Sequence, residues 1–328
     1  MSAIRKQEIN RSLKWFNRAL DLVSAHANRW QTAFIAGTLN EDHSTQLDLL
    51  HSRTPTLRKL DVKLYRSTPG FHFLPAASML QSMVVDGDLQ PFQAPTGAEN
   101  LRLTRLEIGT FSDYHLICGL IKRCAATLQL LSLSVYGREE VAPTGGLQLS
   151  LPALRKLKIH SHIPEDAIRM ASPSLEELVV CPSALLGTRS LIDRLVTSQN
   201  IVSLNIFSDD GPRFTIRELH RVVGLKKLRE LVFSAHGYTV QKPQPEVFIE
   251  LATRIPPIWP ELEEVIFQSS CYFNARLGEA VVGFVRSRNS WQIDKKEKPV
   301  GLRSVTILCD GCSAIQAQID ELLVGAST

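Results

Sequence analysis

A six-residue phrase whose first, fourth and sixth positions are apolar recurs ten times along this chain, and no other feature restricts its fold so strongly. The copies begin Leu57-Arg-Lys-Leu60-Asp-Val62, Leu80-Gln-Ser-Met83-Val-Val85 and Leu103-Thr-Arg-Leu106-Glu-Ile108. They continue with Leu128-Gln-Leu-Leu131-Ser-Leu133, Leu154-Arg-Lys-Leu157-Lys-Ile159, Leu175-Glu-Glu-Leu178-Val-Val180 and Ile201-Val-Ser-Leu204-Asn-Ile206. The last three are Leu228-Arg-Glu-Leu231-Val-Phe233, Leu262-Glu-Glu-Val265-Ile-Phe267 and Leu302-Arg-Ser-Val305-Thr-Ile307. Subtracting successive first positions gives spacings of 23, 23, 25, 26, 21, 26, 27, 34 and 40 residues. A unit of that size cannot bury its own apolar edge, so its neighbours must cover it and the core must run along a stack.

Within each phrase the alternation is that of a strand: the fourth and sixth residues point inward and the residues between them outward. Several connections carry helical periodicity instead. These are Tyr114–Ile121 after Ser112-Asp113 as N-cap, Ser190–Val196, Ile216–Val223, Val247–Ala252 and Ala280–Val285. A strand followed by a helix, repeated in one direction, predicts an α/β leucine-rich-repeat-like solenoid, with a curved parallel sheet on the concave side and helices and loops on the convex side. Such a stack needs end caps. A helix from about Ile9 to Ala27, with Leu13, Phe16, Leu20 and Val23 on one face, leads into a degenerate first strand at Trp30–Ile35, and Ile315–Leu323 closes the other end. The expected organisation is a capping helix over 1–29, the array over 30–310 and a capping helix over 311–328. Regular repeats of this type often carry an asparagine ladder after the strand; none is present here, so turn backbone groups must find other partners.

Composition narrows the function classes. Hydrophobic residues make up 44% and charged residues 21%, which argues against wholesale disorder. The net charge of +4 is spread along the chain without the clustered basic stripe of a nucleic-acid binder. Six cysteines lack a disulfide-scaffold rhythm, no apolar run follows Arg5 and Lys6, and no stretch is long enough to span a bilayer. These features point to an intracellular protein, cytoplasmic or nuclear, with no membrane or nucleic-acid partner.

No hydrolase elbow, phosphate loop or dinucleotide fingerprint occurs, so a non-catalytic protein without cofactor or metal is expected. Cys309-Asp-Gly-Cys312 has the two-residue gap of half a zinc site or a redox pair, but no second pair is spaced to complete four zinc ligands, and it reads as a turn with buried or half-buried thiols. His160-Ser-His162 reads as a strand end, Asp209-Asp210-Gly211 as a turn, and Lys295–Lys298 as a solvated loop.

The phrase and its order resemble the leucine-rich region of F-box proteins, particularly those of mushroom-forming fungi. The segments that carry the resemblance are His26–Trp30 leading to Pro55-Thr-Leu57-Arg-Lys-Leu60, Leu151-Pro-Ala-Leu154-Arg-Lys-Leu157 and Ala171-Ser-Pro173-Ser-Leu175-Glu-Glu-Leu178, within a likeness spanning roughly residues 20 to 310. The resemblance implies the substrate-binding part of a cullin-RING ubiquitin ligase receptor. The three-helix F-box has no counterpart ahead of the array, so a cullin adaptor is an expected partner only if such a module is restored upstream. The alternative is a free-standing interaction scaffold unrelated to ubiquitin. An enzyme with its site in the connections at 234–260 or 268–300 has no motif behind it.

The outward strand positions are the expected contact surface for an unknown protein partner. Near the N-terminus they are charged: Lys59, Lys63, Arg105, Lys156 and Lys158, with Asp61, Glu107 and His160 among them. Further on they are apolar: Val179, Phe207, Val232 and Ile266, which form a contact patch if exposed and a second core if loops cover them.

Overall fold

The computed structural model describes residues 15, 18, 19, 22, 25–38, 54–65, 78–86, 101–109, 114–134, 147–160, 168–187, 195, 200–208, 213–235, 243–268, 274–290, 300–308 and 312–325. The chain divides into two compact units, Met1–Gln129 with Ser134–Val141, and Leu130–Leu133 with Ala142–Thr328.

In the first unit a 3-10 turn, Ala27–Arg29, precedes four parallel strands that pair in chain order: β1 (Thr32–Thr38), β2 (Lys59–Tyr65), β3 (Ser82–Asp86) and β4 (Arg105–Ile108). Helix α1 (Tyr114–Cys124) follows. The second unit holds seven parallel strands, β5 (Leu130–Leu133), β7 (Lys156–Ile159), β9 (Glu177–Val180), β10 (Ser203–Ser208), β11 (Glu230–Ala235), β12 (Glu264–Phe267) and β13 (Ser304–Ile307), paired in that order. Helices α2 (Pro182–Gly187), α3 (Ile216–Val222), α4 (Pro245–Thr253), α5 (Ala275–Asn289) and α6 (Ser313–Gly325) lie between and after them. A separate two-stranded parallel sheet, β6 (Leu147–Ser150) with β8 (Ile168–Ala171), occupies connections where the phrase alone gives no strand.

Every phrase becomes a strand, and each of those ten strands begins at the phrase's third position. The reason lies just upstream. Proline, with φ fixed near −65°, suits the second place of a tight turn, and four phrases are entered that way: Leu57 N–H bonds back to Thr54, Leu154 to Leu151, Leu175 to Ser172 and Leu262 to Trp259, at 3.0–3.2 Å, across Pro55, Pro152, Pro173 and Pro260. After the turn a second device takes over. The carbonyl at phrase position two accepts from the N–H groups of positions two and three in the next repeat: Gln31 from Arg58 and Lys59, Arg155 from Glu176 and Glu177, Glu176 from Val202 and Ser203, Val202 from Arg229 and Glu230. Side chains complete the turns, with Thr56 Oγ1 donating to the Asn28 carbonyl at 2.8 Å, Thr127 Oγ1 to Leu103 at 2.8 Å and Asn200 Nδ2 to Pro173 at 2.7 Å. These bonds do the work of the absent asparagine ladder.

The first, fourth and sixth phrase positions are at most 8% exposed in all ten copies. At about 1.5–3 kcal/mol for each buried aliphatic side chain, these rows dominate the stability of both units. In the second unit the inward row meets the helices through phenylalanine: Phe233 and Phe267 stack at 5.3 Å, and Phe248 of α4 sits 5.8 and 5.6 Å from them and 6.0 Å from Phe284 of α5. Helix α3 starts with a capping box, in which the Arg217 N–H donates to Thr215 Oγ1 at 3.1 Å and the buried Glu218 carboxylate accepts from the Thr215 N–H at 2.7 Å. On α1, Cys124 is fully packed and donates to the Leu120 carbonyl at 3.3 Å; burial pushes its thiol from an ordinary 9.0 up to about 12.

The sheet of the second unit ends at β13, where one side chain replaces the missing strand. Gln316 of α6 accepts from the Ile307 N–H at 2.9 Å and donates to the Val305 carbonyl at 2.8 Å, so the edge presents a satisfied amide instead of open backbone. The expected C-terminal cap is therefore a helix that also mimics a strand. The expected N-terminal helix lies mainly outside the described residues. Trp15, Arg18, Ala19 and Leu22 are helical and exposed, on the face opposite the expected apolar one. Of Ser190–Val196 only Leu195 is described, helical and buried, and the expected N-cap at Ser112-Asp113 also lies outside.

The connection between α4 and β12 is held by a buried cation. Arg288 of α5 donates to the carbonyls of Ile258, Trp259 and Leu262 at 3.3, 3.0 and 3.2 Å, and desolvation draws its guanidinium down to about 10, so it stays charged at neutral pH. Trp259, 1% exposed, has φ of 51°, a left-handed conformation that a bulky side chain rarely adopts, and its indole N–H donates to the Val222 carbonyl at 2.9 Å. Those bonds offset a backbone cost of about 1–3 kcal/mol.

Candidate recognition face

Because register pairs like-numbered phrase positions on neighbouring strands, outward side chains at positions three, five and seven form rows across each sheet. In the first unit position three gives Lys59, Ser82 and Arg105, and position five gives Asp61, Val84 and Glu107. Lys59 and Arg105 are exposed and Lys63 is half-buried. Arg105 Nε donates to Glu107 on its own strand at 2.6 Å. The ammonium of Lys63 lies 5.9 Å from the ring centroid of Phe34, which stands on the same face of β1 and is 63% exposed. Phe34 is a contact candidate that the repeat phrase misses, since β1 is a degenerate copy. Its outward direction follows from strand parity alone. At position seven Gly109 lies against Asp86: a Cβ there would come 2.8 Å from the Asp86 Cγ, so a larger residue would require the Asp86 side chain to move.

In the second unit position three runs Leu130, Lys156, Glu177, Ser203, Glu230, Glu264, Ser304. Lys156 and Glu177 form an ion pair at 2.5 Å, Ser203 donates to the Glu230 carboxylate, and Glu264 stands directly beside Glu230. The row thus changes from positive to negative along the sheet. Position five runs Ser132, Lys158, Val179, Asn205, Val232, Ile266, Thr306. Asn205 Oδ1 accepts from the Ser234 hydroxyl at 2.7 Å.

The expected apolar patch is not open. Val179, Phe207 and Val232 are 7%, 6% and 6% exposed, and only Ile266 is half-buried. Phe207 meets the edge of the His160 ring at 5.0 Å and pairs in register with Ser234. These residues form a layer of packing on the outward side of the sheet, the second of the two possibilities that the sequence allows. Solvent meets Lys156 and Lys158, the glutamates beside them, and Leu308 just past β13, which is 58% exposed.

Cys312 and Cys181 are buried, and His162, Asp209, Asp210, Cys309 and Lys295–Lys298 lie outside the described residues. Among the described residues no three or more His, Cys, Asp or Glu side chains are grouped to hold a metal ion. No helix among them is long and apolar enough to cross a membrane. In comparisons with known proteins, no family model matches the chain and no curated protein matches it.

Proposed function

We propose that the chain is a non-catalytic recognition module whose units are leucine-rich-repeat-like stacks, and that it holds a protein partner against its outward strand side chains. The reading is supported above all by register. Ten strands start at the same phrase position and pair residue for residue, so functional groups recur at about 4.8 Å intervals across each sheet on a frame whose opposite face is sealed. Such a surface suits an extended macromolecular contact better than a concave reaction centre. Lys59, Lys63 and Arg105 with the ring of Phe34 in one unit, and Lys156 and Lys158 beside Glu177, Glu230 and Glu264 in the other, would contact a partner of mixed charge. The work of a ubiquitin-ligase receptor, with a cullin adaptor reached through an F-box supplied upstream, rests on the sequence resemblance, as does an intracellular setting.

Affinity purification with mass spectrometry from cells expressing the chain, its Lys156→Glu/Lys158→Glu variant and an equally stable Lys122→Glu control tests the reading. Proteins retained by the chain and the control but lost from the double variant support it. A partner set unchanged by the double variant sinks it. Co-recovery of cullin and its adaptor favours the ligase role, and their absence favours a free-standing scaffold.

A further inference from the structure

We propose that a cavity in the second unit, apart from the strand rows, binds a small ligand that carries one carboxylate on a compact apolar body. The cavity measures about 350 Å³, with Val223, Pro256, Pro257 and Pro260 among its walls and Lys226 and Arg254 supplying its positive charge. That is within the size range of ligand sites, and at the roughly 30 Å³ occupied by a water molecule it holds about twelve non-hydrogen atoms.

The walls and the cations select different parts of such a ligand. Proline has no N–H to offer, so three prolines and a valine present hydrocarbon that an apolar body covers without stranding a donor. Lys226 is exposed and has no acidic side chain within ion-pair distance among the described residues. Arg254 spends one Nη on Glu250 at 3.3 Å, leaving its other N–H groups for a second acceptor. One unpaired cation and one shared cation balance a single negative charge, whereas a phosphate dianion would lack compensation against apolar walls.

The site is also built before any ligand arrives. Arg288 fixes the carbonyls of Ile258, Trp259 and Leu262 behind it, and the Trp259 indole ties the wall to the end of α3 through Val222. The left-handed Trp259 lies in that wall, and strained backbone held by surrounding bonds tends to mark binding sites. A carboxylate on an apolar body could come from a free acid or from the C-terminal residue of a peptide, and two probes separate these sources.

The full chain, with ¹⁵N-labelled indoles, is titrated with octanoate and with the minimal peptide terminus N-acetyl-leucine, each compared with its uncharged amide, while the Trp259 indole N–H signal is followed. At least one acid should shift that signal saturably and bind about tenfold more tightly than its amide. A response to octanoate alone assigns the site to a free acid, and a response to the peptide alone assigns it to a chain terminus. Lys226→Gln, at an exposed position, should weaken binding about tenfold without altering the melting temperature, and Val223→Phe should abolish it by filling the space. Acid and amide binding equally, no saturable shift with either acid, or full affinity in Lys226→Gln would each overturn the proposal.

Discussion

Single side chains in this protein act through what they replace or withhold. Gln316 stands in for a strand, and Arg288 gathers the carbonyls of Ile258, Trp259 and Leu262 around one buried guanidinium. Cys124 shows the cost of withholding water. Its thiol titrates near 12 in the folded chain against 9.0 ordinarily, so the folded state keeps a proton that the unfolded state releases between those values. The contribution is complete below pH 9 and is lost as pH climbs toward 12. Relative to Cys124→Ala, the natural chain should therefore lose about 2 kcal/mol between pH 8 and pH 10.5. Urea unfolding of both proteins at the two pH values measures this, and a constant difference would mean that the thiol is hydrated. At neutral pH the same burial should keep Cys124 unlabelled by thiol reagents until the chain unfolds.

Strands were more legible than what lies over them. The phrase located ten strands and their inward residues, because leucine at positions one, four and six has no other way out of water. The helices at Tyr114, Ile216, Val247, Ala280 and Ile315 followed from 3.6-residue spacing, and Thr215-Ile-Arg-Glu218 carries a capping box in plain letters. Strands β6 and β8 escaped notice: Leu147-Gln-Leu149 and Ile168-Arg-Met170 alternate as strands do, but they are short and fall outside the phrase. Phe207 marks the deeper limit. Parity assigns a side chain to a face and says nothing of what packs on that face, so the letters leave Phe207, Val179 and Val232 open between a contact patch and a second core, and their burial decides for the core. Substituting Phe207 should then act on stability: Phe207→Ala is expected to cost about 3 kcal/mol or more, and Ile266→Ala, half-buried in the next row, roughly half as much. Chemical denaturation distinguishes them, and a cost below about 0.5 kcal/mol for Phe207→Ala would restore it to the open face. The cavity at Lys226 and Arg254 was equally invisible, since its parts come from two connections about thirty residues apart whose meeting depends on Arg288 and Trp259.

On the scale of the whole molecule, function is a matter of spacing. Each strand adds one outward residue to each row, so the sequence of a row is the order of the repeats: Lys156, Glu177, Ser203, Glu230, Glu264. Charge along position three can be rewritten one repeat at a time without touching the buried rows, because none of its residues is buried. The position-two carbonyls carry this further. Glu176 accepts from Val202 and Ser203 in the way that Arg155 accepts from Glu176 and Glu177, which makes the two joints interchangeable. Removing Leu175 through Asn200, 26 residues by the difference 201 − 175, would bring Ile201 up to the Ser172-Pro173-Ser174 bend and hand the Val202 and Ser203 amides to Arg155. The shortened chain should melt in one sharp transition with an unchanged circular-dichroism line shape, and a broad, gradual melt would refute the equivalence. A protein jointed in this way is written in clauses, and its grammar survives the loss of one.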